Sequence, residues 1–386
     1  MVFLHIGAPK TGTTYLQSIL FTNRAALRRR GLLYPGNAVR SHFWAAQDLR
    51  ETAFHGYADP QVSGAWSRLV DEVRNHGGNA IIDHENFASA STAQVERALT
   101  DLEFADVHLV FTARDIARQL PAAWQERMKN RDTLGYHEFL DRVHDGMTGA
   151  GPRRWFWPLH DWTEILDRWS RSLPADQVHV VTLPRSGTDP GLLWTRFAEV
   201  LGIDPDGYDL DVTRDNTSLT AAQAAVLRGL NEAIKDADIP WPVYRSAVKH
   251  GLSGALGDQR AAGARIELPE DVYEWVLAWS QDAVARLRSA GYAVTGDLDE
   301  LLPVARPEGA DPDDVPATDR ADAAGQMLGA MLRLLAEQSA APRMRAGAAP
   351  ARGGDLARRV ADRAERAGWL APLRGGTRRR HGRAAE

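Results

Sequence analysis

Four short runs of apolar, largely β-branched residues stand out along the first half of the chain: Val2–Ile6, Ala80–Asp83, Val107–Thr112 and Val178–Leu183. Each is bounded by polar or glycine-containing segments and is too short for a core helix, so each is predicted to be a buried strand. Between them apolar positions recur every three to four residues, which predicts helices over Thr13–Arg30, Trp66–Asn75 and Ile116–Lys129. Beyond Leu183 the pattern becomes helical, over Gly191–Leu201, Leu219–Lys235 and Pro269–Ala290. Strands that alternate with helices predict an α/β fold, a parallel sheet covered on both faces. In such sheets ligands sit beyond the carboxyl ends of the strands. The residues just after each strand are therefore the ones to read for chemistry.

The pattern predicts one large domain over 1–302, followed by a linker and tail over 303–386. Ala305–Asp322 is rich in Pro, Asp and Ala and reads as a linker, and Met327–Leu335 is apolar enough for a short docking helix near 325–337. From Ala340 onward Ala, Gly, Pro and Arg dominate, a composition that predicts disorder because it offers little to bury. The excess arginine there reads as a solvated tail.

Charge and composition narrow the function. The net charge of -5 gives no reason to expect a nucleic-acid or membrane partner. With 0 cysteines, a disulfide framework, cysteine-ligated zinc and thiol catalysis are excluded. The apolar run at the N-terminus is too short for a signal peptide, and no stretch reaches the roughly 20 apolar residues of a membrane span. The expectation is a cytoplasmic protein.

The richest motif is Gly7-Ala8-Pro9-Lys10-Thr11-Gly12-Thr13-Thr14, placed between the first strand and the first helix. A glycine turn there aims backbone N–H groups at one point, at the positive end of a helix dipole, and so suits a phosphate. The glycine spacing is that of an NTPase P-loop, but Thr13 stands where the NTPase lysine would be and the lysine lies earlier, at Lys10. A lysine inside the loop suits a ligand with one phosphate and a transferring group beside it.

Here the chain resembles the family of sulfotransferases that use 3'-phosphoadenosine-5'-phosphosulfate (PAPS) and release 3',5'-bisphosphoadenosine (PAP). Pro9 to Thr14 match that family's Pro-Lys-Thr/Ser-Gly-Thr-Thr/Ser loop at every position. The resemblance implies a P-loop-type sheet with PAPS as cofactor. It implies Lys10 on the bridging oxygen and leaving phosphate, and Pro9, Thr11, Gly12, Thr13 and Thr14 around the 5'-phosphate. It places Arg114, at the end of the third strand, on the 3'-phosphate, a role that suits a planar guanidinium. The chain departs from the family at Ala122, where a serine normally completes that site; Arg118, Lys129 or Arg214 could compensate. No metal is expected.

Sulfuryl transfer to a hydroxyl or amine also needs a base on the acceptor. His84 and Glu85 follow the second strand, and bacterial relatives with a His-Glu pair point to Glu85, while helix capping is the plainer role for both. The acceptor, a small molecule, carbohydrate or lipid, is not specified. Arg40–Trp44, Phe54–Tyr57 and Arg153–Pro158 could line its pocket or simply pack; Trp162, Trp169, Trp194, Trp275 and Trp279 read as core. Two other classes stay open. A P-loop kinase would use Asp83 for magnesium but lacks the lysine at position 13, and a non-catalytic nucleotide-binding regulator would explain Ala122.

Overall fold

The computed structural model describes residues 1–53, 59–153, 156–185, 187–189, 191–212, 218–252 and 263–340. It contains a six-stranded sheet in the order β2-β3-β1-β4-β5-β6. The strands are β1 (Val2–His5), β2 (Leu32–Leu33), β3 (Asn79–Asp83), β4 (Val107–Ala113), β5 (Val178–Thr182) and β6 (Ala293–Thr295). All pairings are parallel. The chain is therefore α/β, with helices on both faces of a parallel sheet.

The helices of the N-terminal half are α1 (Thr13–Thr22), α2 (Arg24–Arg29), α3 (Ser41–Arg50), α4 (Ala65–His76), α5 (Thr92–Asp101), α6 (Ile116–Lys129) and α7 (Tyr136–Thr148). There follow α8 (Trp157–His160), α9 (Trp162–Trp169), α10 (Leu192–Val200), α11 (Ala221–Ala233) and α12 (Trp241–Tyr244). A π-helical stretch, Arg245–Leu252, precedes α13 (Glu270–Ser289) and α14 (Ala317–Ala340). No described helix is long and apolar enough to cross a membrane.

The period-2 alternation of β1 sorts its side chains between the two layers. Phe3 joins Leu16, Ile19, Leu20, Trp194 and Phe197 from α1 and α10. Val2, Leu4 and the following Ile6 join the larger core on the other face, with Trp66, Phe87, Trp162 and Trp169. Burying each such side chain contributes about 1.5–3 kcal/mol.

Several elements depart from the sequence pattern. The helix predicted over Thr13–Arg30 breaks at Asn23, whose side-chain amide donates to Ile19 O at 2.9 Å and to Asp209 O at 2.8 Å. Arg40–Trp44 opens helix α3 rather than forming a loop, and its His42 is buried. The expected linker contains a β-bridge between Ile266 and Ala310 and the start of α14, so Met327–Leu335 lies inside a longer helix. Met327 and Ala330 are the buried positions of that stretch. Phe54–Tyr57, Arg154, Trp155, Arg214 and the tail beyond Ala340 lie outside the described residues.

Order in the sheet decides where chemistry can gather. β1 lies between β3 and β4, so the chain leaves β1, returns beside it in β3, and crosses to its other side in β4. The register pairs His5 with Asp83 and with Val110. The segments that follow these three strands consequently emerge side by side, at the switch point where open parallel sheets bind ligands.

Candidate active site

The loop from Gly7 to Gly12 is tied to β4 before it reaches α1. Ile6 N donates to Val110 O at 2.9 Å and Ala8 N to Thr112 O at 3.2 Å. Gly7 passes so close to β4 that a Cβ there would lie 2.0 Å from Thr112 Oγ1 and 2.7 Å from His5 Nε2. Overpacking of this kind costs about 1–3 kcal/mol. Gly7→Ala should lower the urea midpoint of unfolding accordingly, and an unchanged midpoint would show that the loop does not approach β4 this closely.

At the other end Gly12 is left-handed (φ 86), starts α1 and accepts from Leu16 N. No side chain caps α1 and its first turn holds no acidic residue, so its positive end stays available to an anion. Lys10 is also left-handed (φ 67), a conformation that costs a non-glycine residue about 1–2 kcal/mol.

Three groups from the β4–α6 segment hold the loop there. Arg114 Nη1 donates to Lys10 O at 3.0 Å, Gln119 Nε2 donates to Pro9 O at 2.9 Å, and Glu126 Oε2 accepts from Lys10 Nζ at 2.6 Å. Thr13 is buried and Thr14 half-buried at the start of α1. Thr11 is fully buried, and its hydroxyl donates to Ala8 O at 2.6 Å.

Beneath the loop runs a chain of buried polar contacts. Thr11 Oγ1 lies 2.7 Å from Thr112 Oγ1, which lies 3.1 Å from His5 Nε2, and His5 Nδ1 lies 2.7 Å from Asp83 Oδ1. Because the Thr11 hydrogen goes to Ala8, Thr112 donates to Thr11 and His5 donates to Thr112. On its other side the His5 ring meets Asp83, so it bridges the Thr112 hydroxyl and a buried carboxyl. Both side chains are 0% exposed. Asp83 also anchors α3, since its N–H donates to His42 Nδ1 at 3.1 Å. Burial holds His42 neutral, with its pKa lowered to about 4.

The turn after β3 carries the expected base. His84 Nδ1 accepts from Asn86 N at 3.0 Å, so His84 does cap the 3-10 turn over Glu85–Ser89. Glu85 Oε2 accepts from Gln17 Nε2 of α1 at 2.7 Å, which binds this turn to the helix that opens from the loop. Burial favours neutral Glu85, but His84, its own backbone N–H, Gln17 and His5 outweigh that and hold it below the ordinary carboxylate range. It is an ionised carboxylate, half-buried and fixed in place.

After β4, burial and then the neighbouring Arg118 bring the pKa of Arg114 down to about 10, against the pull of Asp115. Its Nε is buried with no hydrogen-bond partner among the described residues. Arg118 leans on Asp115, which also caps α6 by accepting from Arg118 N at 2.9 Å. A phosphate beside Arg114 would give its Nε a partner. Lys129 is buried at the far end of α6. The residues present thus fit a ligand with a phosphate at α1 and a second phosphate toward Arg114.

Gln17, Gln119, Glu126 and His160 also belong to the site but carry no motif. Gln17 lies one helical turn after Thr13, a spacing that could have revealed it. His160 ends α8, which packs against the Glu85 turn, and burial followed by the charge of Lys10 lowers its pKa to about 3. Away from the loop, His137, Asp311 and Asp313 bring ligand-type atoms together, but His137 and Arg228 already act as cationic partners to these acids.

No family model matches the chain, and no curated protein matches it. Among solved structures it is similar to a sulfotransferase from Alicyclobacillus acidocaldarius, at 16% identity and a TM-score of 0.43, over 75% of this chain and 95% of that one. The likeness is distant, and the reading of the site rests on its own residues.

Proposed function

We propose that this chain is a PAPS-dependent sulfotransferase acting on a hydroxyl or amine of a small molecule, carbohydrate or lipid. One observation carries the reading: an uncapped helix N-terminus, Lys10, and Arg114 bonded to the Lys10 backbone converge on the switch point of the sheet. That is a site for a ligand with two separated phosphates.

The donor supplies a sulfuryl group on a phosphate leaving group. The backbone N–H groups of the loop, with the hydroxyls of Thr13 and Thr14, hold the 5'-phosphate. Lys10 offers the charge that a departing phosphate needs. Arg114, with Arg118 beside it, recognises the 3'-phosphate. Glu85 takes the acceptor's proton, and His84 fixes the turn that carries it. Because Glu85 lies below the ordinary carboxylate range, it stays ionised as the pH falls through that range, and kcat/KM should hold its plateau correspondingly far into acid.

In the kinase alternative the magnesium carboxylate would be Asp83, which is 0% exposed and bonded to His5. Calorimetric titration with PAP, AMP and ATP–magnesium tests the reading. PAP should bind best, and Arg114→Ala should weaken it by about 1.5–3 kcal/mol, roughly 10-fold to 150-fold, the range for hydrogen bonds to charged groups. Binding of ATP–magnesium without PAP would sink the proposal.

A further inference from the structure

We propose that Glu126 is a positioning residue for Lys10, which it holds while no donor is bound, yields to the leaving phosphate, and takes back as the product departs. This rests on the donor site proposed above.

The starting point is an occupied lysine. Lys10 Nζ donates to Glu126 Oε2 at 2.6 Å, with the two side chains 20% and 24% exposed. Asn130 Nδ2 steadies the other carboxylate oxygen at 3.3 Å. A half-buried pair of this kind is weakly screened, so a ligand that needs Lys10 must compete for it.

The position of Glu126 sharpens the argument. It stands four residues after Ala122, one turn further along the same face of α6. A hydroxyl at 122 could donate to a phosphate, whereas an ionised carboxylate at 126 can only accept and repels anions. Glu126 therefore serves a cation, and Lys10 is the one it touches from the loop.

The transfer needs little movement. Arg114 and Gln119 hold the loop backbone at Lys10 O and Pro9 O, independently of Glu126. Only the flexible lysine stem has to turn, which suits an ammonium better than a guanidinium fork. Linkage then fixes the direction of every effect. The grip of Glu126 on Lys10 opposes nucleotide binding and assists product release. Weakening that grip should lower the donor KM and, where release limits turnover, lower kcat with it.

Two variants and two readouts separate this from simple repulsion. Glu126→Gln removes the charge, while Glu126→Asp keeps it and shortens its reach. PAP affinity is measured by calorimetry. Lys10 reactivity is measured in ligand-free protein by acetylation and mass spectrometry, which is clean because the chain has only the lysines Lys10, Lys129, Lys235 and Lys249. Glu126→Gln should bind PAP about tenfold tighter, within the usual range of coupling. Glu126→Asp should also bind tighter, and Lys10 should acetylate faster in both.

If Glu126→Gln tightens binding and Glu126→Asp does not, the carboxylate acts by repulsion alone and the proposal is overturned. Unchanged affinity in both variants, beside a wild type that binds PAP, overturns it too. A wild type that binds no PAP removes the donor site itself, a result visible before any variant is made.

Discussion

Replacing Lys10 by alanine should lower kcat by about 10²–10³, the cost of removing one group that stabilises charge developing in a transition state. The effect on PAP affinity should be smaller, about tenfold, near the lower end for a hydrogen bond to a charged group. The difference follows from the resting contacts. Lys10 already has a charged partner in Glu126, so binding exchanges one anion for another and gains little. Charge that builds on a leaving phosphate during transfer has no such counterpart in the ground state, and only there does the full contribution of the lysine appear. Single-turnover rates beside calorimetric PAP affinities make the comparison. Equal losses in both would mean that Lys10 merely binds. A wild type that holds PAP but shows no turnover with any acceptor would leave the regulator reading in place.

The parts of this architecture that the sequence announces are those fixed by neighbouring residues. β1, β3, β4 and β5 fall within a residue or two of their apolar runs because a doubly covered parallel strand must be apolar throughout. The loop is legible in part because Gly12 is demanded locally, by a positive φ where α1 begins. β2 and β6 are two and three residues long, too short to show any period. α3 hides for another reason, since its buried face carries Ser41, His42 and Gln47 among alanines, which do not read as an apolar stripe. Contacts remote in sequence are invisible in principle. Nothing in the loop motif foretells that Glu126 grips Lys10, or that the Thr11 hydroxyl turns inward to Ala8 and Thr112.

Asp83→Asn should destabilise the fold by about 3–5 kcal/mol, the cost of removing one partner from a buried ion pair. The amide is nearly isosteric, so packing is preserved and the loss isolates charge. His5 would remain at 0% exposure, with an amide in place of the carboxyl that its Nδ1 contacts. A ring that turns to suit the amide strains its contact to Thr112, and through Thr112 loosens the Thr11 hydroxyl beneath the loop. Stability and ligand affinity should therefore fall together, although Asp83 touches no ligand. Combining Asp83→Asn with His5→Gln replaces both charges by neutral groups, and the double variant should lose less than the sum of the two single changes. Urea unfolding of the four proteins tests this. A loss below about 1 kcal/mol for Asp83→Asn, the scale of a neutral hydrogen bond, would show that the two side chains do not act as a buried ion pair.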